Sequence, residues 1–483
     1  MLKKTITTVL FIISYFAMPQ GAEDALRYSI ANNYSTARVS SLGGSFSSLG
    51  GNSGSIVSNP ASLAIYRTDE LSFTLSSDNE RIESTYKSQL SQTDRYKFFI
   101  QNLSYVKSIP IDNDWNRFNV SISMNRKRDL DRQINISAYN EASTMANYFL
   151  FDAQGLNIDN LNPFGTTLAY FTDIIDLDTT TNEYFSNILD VGQNQTLKLS
   201  ESGFINEVDI AFSSAYKDFI FVGLNLSFSD VNFSQHSRYN EAGFNSETNS
   251  IESFTYNRYL DVIGEGANFK FGAIIKPTPS LRLGWAYHSK TLYSFEESYT
   301  TDMTTIFSNG NSYTDFYDWN WDGFQDINLF NYELKTPAKT ISSLALIFAK
   351  QGLITIDYET INYGSAEFLP NLYANFSDDN ADISDFYQKT NNKKIGIEWK
   401  FQNIILRSGY ASFESPYKIN ENDGSREYIS GGIGFQKGAY FIDLAMISSI
   451  EEEDYTLYED NISQVANISN HGKTILVSCS YKF

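Results

Sequence analysis

The sequence predicts an all-β fold: a transmembrane, 14-stranded, antiparallel up-and-down β-barrel with an N-terminal plug, or hatch, inside its lumen. Apolar side chains recur at every second position along most of the chain, which is the period of a strand with two unlike faces. Short and long connections alternate between these segments, as they do between the two ends of such a barrel. After the N-terminus, no segment has the run of about 18 apolar residues that a transmembrane helix needs.

The first 22 residues have the composition of a signal peptide. Lys3 and Lys4 precede an apolar run at 6–18, and the small residues Gly21 and Ala22 follow it. A basic start, a short apolar centre and small residues near the cleavage point are typical of exported chains. We therefore predict a signal peptide at 1–22, with cleavage near Gly21 or Ala22.

Residues 23–68 do not alternate, and we predict that they form the plug. This segment contains two glycine pairs and one short proline motif, at Gly43, Gly44, Gly50, Gly51, Asn59, Pro60 and Ala61. Glycine permits tight turns, and Pro60 fixes its own φ and favours an extended Asn59. A 14-stranded lumen conducts water unless something fills it, so a compact segment at this place suits a plug. A disordered periplasmic tail is the alternative.

The barrel is predicted at 69–483. In its last strand Ile475 and Val477 lie on one face, and Thr474 and Ser478 lie on the other. An even number of strands returns the end of the chain to the periplasmic side. The alternative, a water-soluble β-protein, would need a second sheet to cover the apolar face of these strands. The predicted strands are 69–77, 96–108, 116–127, 203–216, 219–233, 266–276, 281–295, 337–349, 353–364, 393–401, 404–414, 427–436, 439–450 and 473–483.

Long polar segments connect these strands, and we expect them outside the cell. They run at 78–95, 128–203, 234–265, 296–336, 365–392, 415–426 and 451–472. The largest insert, at about 128–203, is rich in aromatic and aliphatic residues between 142 and 199. Apolar residues in an exposed loop indicate a binding surface, but a self-packed cap over the barrel mouth would have the same composition.

Composition excludes several functions. The formal net charge of −21 and the lack of a long Lys/Arg run argue against nucleic-acid binding. With one cysteine, Cys479, and three scattered histidines, the chain offers no Cys/His metal site, and we predict neither a cofactor nor an enzyme. Asp318–Asp326 is spaced like a short calcium loop, but Leu329 stands where an EF-hand has glutamate, so we expect a plain polar loop.

The N-terminal segment carries a recognisable pattern. Asp24 to Ser29, Leu42 to Phe46, Leu49 to Gly51 and Asn59 to Leu63, in this order after a signal peptide, resemble the FadL/TodX family of outer-membrane transporters of long-chain fatty acids and hydrocarbons. The resemblance implies a fourteen-stranded barrel closed by a hatch whose movement releases an apolar ligand. Some members release ligand sideways at a kinked third strand. Residues 118–127 contain no glycine or proline, so we assign no lateral exit.

These features predict a multi-pass barrel of the cell outer membrane that passively transports hydrophobic small molecules, with long-chain fatty acids as the expected ligands. The expected partners are the ligand, outer-membrane lipid and the barrel assembly machinery, which would recognise the aromatic end Tyr481–Phe483. The alternative is a structural or adhesive surface barrel whose acidic loops bind a host or cell-surface partner. Candidate lumenal contacts for a carboxylate are Arg282, His288, Lys290, Lys394 and Lys400, unless these cations only balance the carboxylates that also point inward.

Overall fold

The computed structural model describes residues 21–483 except 33, 190, 246–249, 318–328, 349–350, 373, 419–422 and 459–464. The predicted signal peptide, apart from Gly21 and Ala22, and the segment Asp318–Asp326 lie outside these residues. The strands are β1 (Glu70–Tyr86), β2 (Gln89–Pro110), β3 (Trp115–Asp129), β4 (Arg132–Asn140), β5 (Ile175–Asp178), β6 (Glu183–Ser186), β7 (Gln193–Tyr216), β8 (Ile220–Ala242), β9 (Ile251–Thr278), β10 (Leu281–His288), β11 (Leu292–Phe307), β12 (Ser312–Tyr317), β13 (Leu329–Lys335), β14 (Lys339–Phe348), β15 (Gly352–Asn362), β16 (Glu367–Leu369), β17 (Lys389–Phe401), β18 (Ile404–Phe413), β19 (Arg426–Lys437), β20 (Tyr440–Thr456) and β21 (Val465–Lys482).

Fourteen of these strands form a closed antiparallel ring, which confirms the predicted barrel. The order around the ring is β1, β2, β3, β7, β8, β9, β10, β14, β15, β17, β18, β19, β20 and β21. The last strand returns to the first, with pairs from Glu70–Lys482 to Thr85–Asn467, so the ring has no free edge there. Closure satisfies the backbone groups that lipid cannot.

The two faces of the wall differ as the alternation predicts. Apolar side chains such as Leu226 on β8 and Ile397 on β17 point outward and are exposed, whereas Asp209, Asn225 and Thr355 point inward and are fully buried. An apolar exterior around a polar interior is typical of a barrel that crosses a bilayer.

Several strands are far longer than predicted. β9 has 28 residues and β7 has 24, whereas crossing a bilayer takes about 9–11. Much of the segments 78–95 and 234–265, which the polarity of the sequence predicted to be loops, is therefore strand. Outside the bilayer inward apolar side chains such as Leu197 and Phe254 are buried under loop residues, so the apolar-outward alternation of the membrane-spanning part is lost while the backbone ladder continues.

The described residues form five α-helices, which are α1 (Ala22–Ser29), α2 (Ala37–Ser40), α3 (Ala146–Ala153), α4 (Thr166–Phe171) and α5 (Ser377–Phe386). Among the described residues, no helix has the length and apolar character needed to cross a membrane.

The insert between β4 and β7 folds into a cap with a core of its own. Phe149 on α3, Leu168 on α4 and Ile174 are buried together with residues of the extended strands. Phe151 and Leu189 remain 77% and 75% exposed. The insert is thus a self-packed cap that still presents apolar side chains to its surroundings, so a part in ligand capture stays a prediction.

A buried glutamate joins this cap to the extended wall. Glu241, near the outer end of β8, accepts hydrogen bonds from the Tyr239 hydroxyl at 2.6 Å, the Gln195 amide at 2.9 Å and the Met145 backbone N–H at 2.8 Å, and from the Thr144 hydroxyl. Burial raises the pKa of Glu241, although these hydrogen bonds act in the opposite direction. The cap is therefore fastened by a carboxyl group that is held away from water.

Candidate functional site in the plugged lumen

The segment before β1 lies inside the barrel and forms the plug. Both of its glycine pairs take the left-handed conformation, with φ of +66° and +72° at Gly43 and Gly44 and of +67° and +74° at Gly50 and Gly51. A Cβ on Gly43 would also lie 2.8 Å from backbone atoms of Tyr410 in the wall. Glycine is therefore needed here both for backbone conformation and for close approach.

The Asn-Pro-Ala motif fixes the second half of the plug. The Asn59 side chain accepts a hydrogen bond from the Ala61 N–H at 3.0 Å and donates one to the Ser47 carbonyl oxygen at 2.8 Å. Pro60 begins the short 3-10 helix Pro60–Ile65, where its missing N–H costs nothing. Asn59 thus caps this helix and ties it to the earlier part of the plug.

Charged groups fasten the plug to the wall. Arg38 donates two hydrogen bonds to Glu398, at 2.9 and 2.8 Å. Arg407 shares that glutamate at 2.6 Å and also binds Asp443 at 2.6 Å. Removing one partner of such a buried network is strongly destabilising, because the remaining charge is left without compensation.

A second carboxylate receives the backbone of the plug directly. Asp357 on β15 accepts hydrogen bonds from the N–H groups of Phe46 and Ser47 at 3.2 and 3.1 Å, and from the Ser45 hydroxyl at 3.2 Å. Three donors from consecutive residues of the plug therefore converge on one wall side chain.

Inward-facing glycines of the wall make room for the plug. A Cβ on Gly396 would lie 2.7 Å from both the Cβ and the carbonyl oxygen of Leu42, and a Cβ on Gly432 would lie 2.6 Å from the Cβ of Ser41. We call this set of residues the glycine socket, and it comprises Gly223, Gly272, Gly284, Gly396, Gly409 and Gly432. Each belongs to a different strand, so the wall is shaped to the plug over about half its circumference.

A cavity of about 160 Å³ lies between α1 and the body of the plug. Among the described residues that line it, two glutamates, Glu207 and Glu359, face six basic side chains: Arg126, Lys127, Lys270, Lys339, Lys394 and Arg426. Lys339 and Lys394 share Glu359 at 3.3 and 3.5 Å, and Lys127 lies 3.6 Å from Glu207. The cavity therefore carries an excess of positive charge inside a protein whose net charge is −21.

Two of the five predicted lumenal contacts line this cavity. They are Lys394 and His288, whose Nε2 lies 2.9 Å from the Ser58 carbonyl oxygen of the plug. The other three are placed elsewhere. Arg282 donates to the Leu49 carbonyl oxygen of the plug, Lys400 donates to the Gln436 side chain at 2.8 Å, and Lys290 is exposed at the break between β10 and β11.

The lumen above the cavity is lined with apolar side chains, which is unusual for the interior of an aqueous channel. Tyr28 of α1 lies with its ring centroid 4.4 Å from that of Phe295 in the wall. The buried wall residues that pack in this apolar cluster with α1 include Leu130, Ile205, Val231, Phe233, Leu260, Val262, Tyr293, Phe295, Tyr332, Leu334 and Phe368. A polar, cationic cavity thus lies beneath an apolar cluster that α1 fills.

The wall itself has an unpaired seam that the sequence did not reveal. The ladder between β2 and β3 ends at Asn102–Asn125, although both strands continue beyond that pair. Beyond it, Gln101 donates a hydrogen bond to the Arg126 carbonyl oxygen at 2.9 Å, and Lys97 binds Asp129 at 2.5 Å. Side chains rather than backbone hydrogen bonds close this part of the wall.

Solved structures with the same architecture identify the fold. A FadL homologue of Pseudomonas aeruginosa superposes with a TM-score of 0.57 at 13% identity, covering 93% of this chain and 98% of that chain. The toluene transporter TodX of Pseudomonas putida gives 0.51 at 14% identity over 89% and 94% of the chains, and the monoaromatic hydrocarbon channel CymD gives 0.51 at 12% identity over 93% and 97%. This chain has the fold of the FadL and TodX barrels. The sequence matches no protein-family model and no curated protein sequence.

The FadL-type fold confirms, at the level of structure, the resemblance that the N-terminal residues carry. Its closed ring and its exposed apolar belt make this chain a multi-pass β-barrel of the outer membrane, as predicted.

Sequence reasoning missed three parts of this FadL-type lumen. The glycine socket had a signal, since glycine inside a strand often marks the close approach of another backbone. Lys127, Lys339 and Arg426 fall in or beside segments whose alternation is weak, so nothing in the sequence marked them as facing one cavity. The partner of Arg38 lies 360 residues further along the chain, and only the folded barrel brings them together.

Proposed function

We propose that this FadL-type barrel passively transports amphipathic hydrophobic molecules across the outer membrane, and that long-chain fatty acids are its preferred ligands. The observation that carries the proposal is the cation-rich cavity beneath the apolar cluster of α1 and the wall. An acyl chain suits the apolar wall side chains of this cluster, and a carboxylate suits lysines that outnumber the nearby acids. The solved barrels of this fold include a toluene transporter and a hydrocarbon channel, which supports the hydrophobic class of ligand.

The charge of the cavity favours fatty acids over neutral hydrocarbons. Burying a cation costs free energy unless an anion compensates it, and Lys339 and Lys394 share the single carboxylate of Glu359. A ligand carboxylate would supply the missing negative charge, whereas toluene would not. Transport along this route needs no covalent step and no cofactor.

Uptake of labelled oleate tests the proposal. We expect the double variant Lys339→Gln, Lys394→Gln to take up oleate more slowly by at least a factor of about ten, because a single charge-assisted hydrogen bond already contributes roughly 1.5–3 kcal/mol. Uptake of labelled toluene should be unchanged, since it makes no such bond. Lys437→Gln is the matched control, because Lys437 is the exposed last residue of β19, away from the cavity. Equal loss of both ligands would contradict a carboxylate site.

The rival function is an adhesive or structural surface barrel. The acidic loops and the exposed Phe151 and Leu189 of the cap are the features that favour it. If cells with the protein and cells without it take up oleate at the same rate, and toluene at the same rate, the result would support this rival and contradict transport.

We also propose the processing and assembly steps that the predicted boundaries imply. Removal of residues 1–22 would leave a mature chain that begins at Glu23 in α1, the first element of the plug at 23–68, and continues into the barrel at 69–483. Phe483 pairs with Asp69 through two backbone hydrogen bonds of 3.1 Å. Recognition of this aromatic end by the assembly machinery is tested by deleting Phe483 and measuring how much heat-modifiable, folded barrel reaches the outer membrane.

A further inference from the structure

One lysine on the lipid-facing wall has no ion-pair partner among the described residues. Lys393 lies on β17 and points outward, opposite Tyr358 of β15 and Ser412 of β18. Its neighbour Lys394 points inward and reaches Glu359 at 3.5 Å. Lys393 therefore stands as an uncompensated cation on the outer surface of the barrel.

This cation lies at the end of an apolar groove. The outward side chains of Ile356, Tyr358, Ile395 and Tyr410 line a groove of about 290 Å³ together with Lys393. Ile356, Ile395 and Tyr410 are direct neighbours across three strands and form its floor. The volume corresponds to roughly ten groups the size of a water molecule.

The groove lies in the outer leaflet of the bilayer. Along β17 the outward residues run from Trp399 through Ile397 and Ile395 to Lys393, and then to the polar Asn391. This polar side is the end of the barrel with the long connections, which faces outside the cell. Tyrosine hydroxyls and a lysine at such a boundary are placed to meet lipid headgroups.

We propose that the groove binds an acyl chain of a phosphorylated glycolipid of the outer leaflet, the lipid A part of lipopolysaccharide, with a phosphate on Lys393. An ammonium group and a phosphate form a strong charge-assisted hydrogen bond, and the apolar floor covers the chain. Two carboxylates lie at this level. Glu427 of β19 accepts a hydrogen bond from Tyr410 at 3.1 Å and is separated from Lys393 by β18, and Glu414 accepts one from the Asn391 N–H at 2.7 Å; neither forms an ion pair with Lys393 among the described residues. The site is independent of the lumenal route.

Native mass spectrometry of the full chain in detergent, with added bisphosphorylated lipid A, tests the site. We expect Lys393→Gln to bind about fivefold less lipid A, because one basic side chain near a charged lipid headgroup contributes about 1 kcal/mol to binding. Ile356→Trp, which fills the groove and keeps the charge, should cause a similar loss. Lys473→Gln is the matched control, because Lys473 also points outward at this end of the barrel, on β21, and does not line this groove.

The same measurement distinguishes the sources of phosphate. Wild-type protein should bind dephosphorylated lipid A about fivefold less than lipid A, and Lys393→Gln should bind both alike. Equal losses in Lys393→Gln and Lys473→Gln would overturn the site as a general effect of surface charge. Phosphatidylglycerol bound as tightly as lipid A, with the same dependence on Lys393, would overturn the glycolipid assignment. Unchanged oleate uptake by Lys393→Gln is expected in every case, so this test is separate from that of the transport proposal.

Discussion

Substitution of one socket glycine should unseat the plug. A Cβ at Gly396 would lie 2.7 Å from the Leu42 carbonyl oxygen, about 0.7 Å short of an ordinary van der Waals contact of 3.4 Å. Gly396 is held by the barrel ladder and Leu42 by the backbone of the plug, so neither can easily move away, and Gly396→Ala should weaken seating of the plug by roughly 1–3 kcal/mol. That change corresponds to a rise of about 5- to 150-fold in the unseated population.

Ion conductance in planar bilayers measures this population, because an unseated plug opens a water-filled lumen. Gly431→Ala is the matched control: Gly431 lies one strand away from Gly409 in the wall, and its Cβ would meet only the Arg407 carbonyl oxygen at 3.8 Å. Both substitutions reduce the freedom of the unfolded chain equally, so their difference isolates the contact. A variant that lacks 23–66 gives the conductance of the open barrel.

The reasoning is refuted if Gly396→Ala folds, as judged by heat-modifiable mobility, and conducts no more than the wild type and Gly431→Ala. A variant without residues 23–66 that conducts no more than the wild type would refute the sealing function of the plug itself.

Two further predictions concern charged groups. Arg38→Gln should raise conductance in the same assay, because losing one partner of the buried Arg38–Glu398 ion pair costs roughly 3 kcal/mol. Arg81→Gln is the control and should leave conductance unchanged, because Arg81 belongs to an exposed pair. Equal conductances of the two variants would contradict the role of the Arg38–Glu398 pair. The folded-state pKa of Glu241 lies above its unfolded value, so the folded cap binds the proton more tightly and loses stability as pH rises through that folded pKa. Proteolysis of 142–199 should therefore be slower at pH 5 than at pH 8, and Glu241→Gln should remove the difference; a wild-type rate that does not depend on pH would contradict this.

The parts of the fold that the sequence predicted are those with a local signature. The alternation of Ile475 and Val477 with Thr474 and Ser478 marks a strand with one face in lipid and one in a polar lumen, and the structure places these residues so. The left-handed φ at Gly43 and Gly50 has a local signature too, because glycine is the residue that adopts a positive φ in a tight turn without strain. Strand lengths were not predictable, because beyond the bilayer the same backbone ladder continues under a different pattern of side chains.

The candidate site was only partly predictable, because its charges find their partners across the lumen. The alternation on β17 placed Lys394 inward, but only the closed ring shows that it shares Glu359 with Lys339. Lys400 was placed on the same inward face, yet it donates to Gln436 and does not line the cavity. Side-chain direction follows from the period of the strand, whereas depth in the lumen follows from tilt and register.

The sequence by itself determined that this chain is a lipid-embedded barrel of fourteen strands with a compact segment to fill it, because these properties depend on periodicity, connection length and composition, which are local. Only the tertiary structure decided how the plug is seated, which cations surround one cavity and where the wall lacks a ladder. Those properties depend on contacts between residues hundreds of positions apart, and closing the ring sets all of those contacts at once.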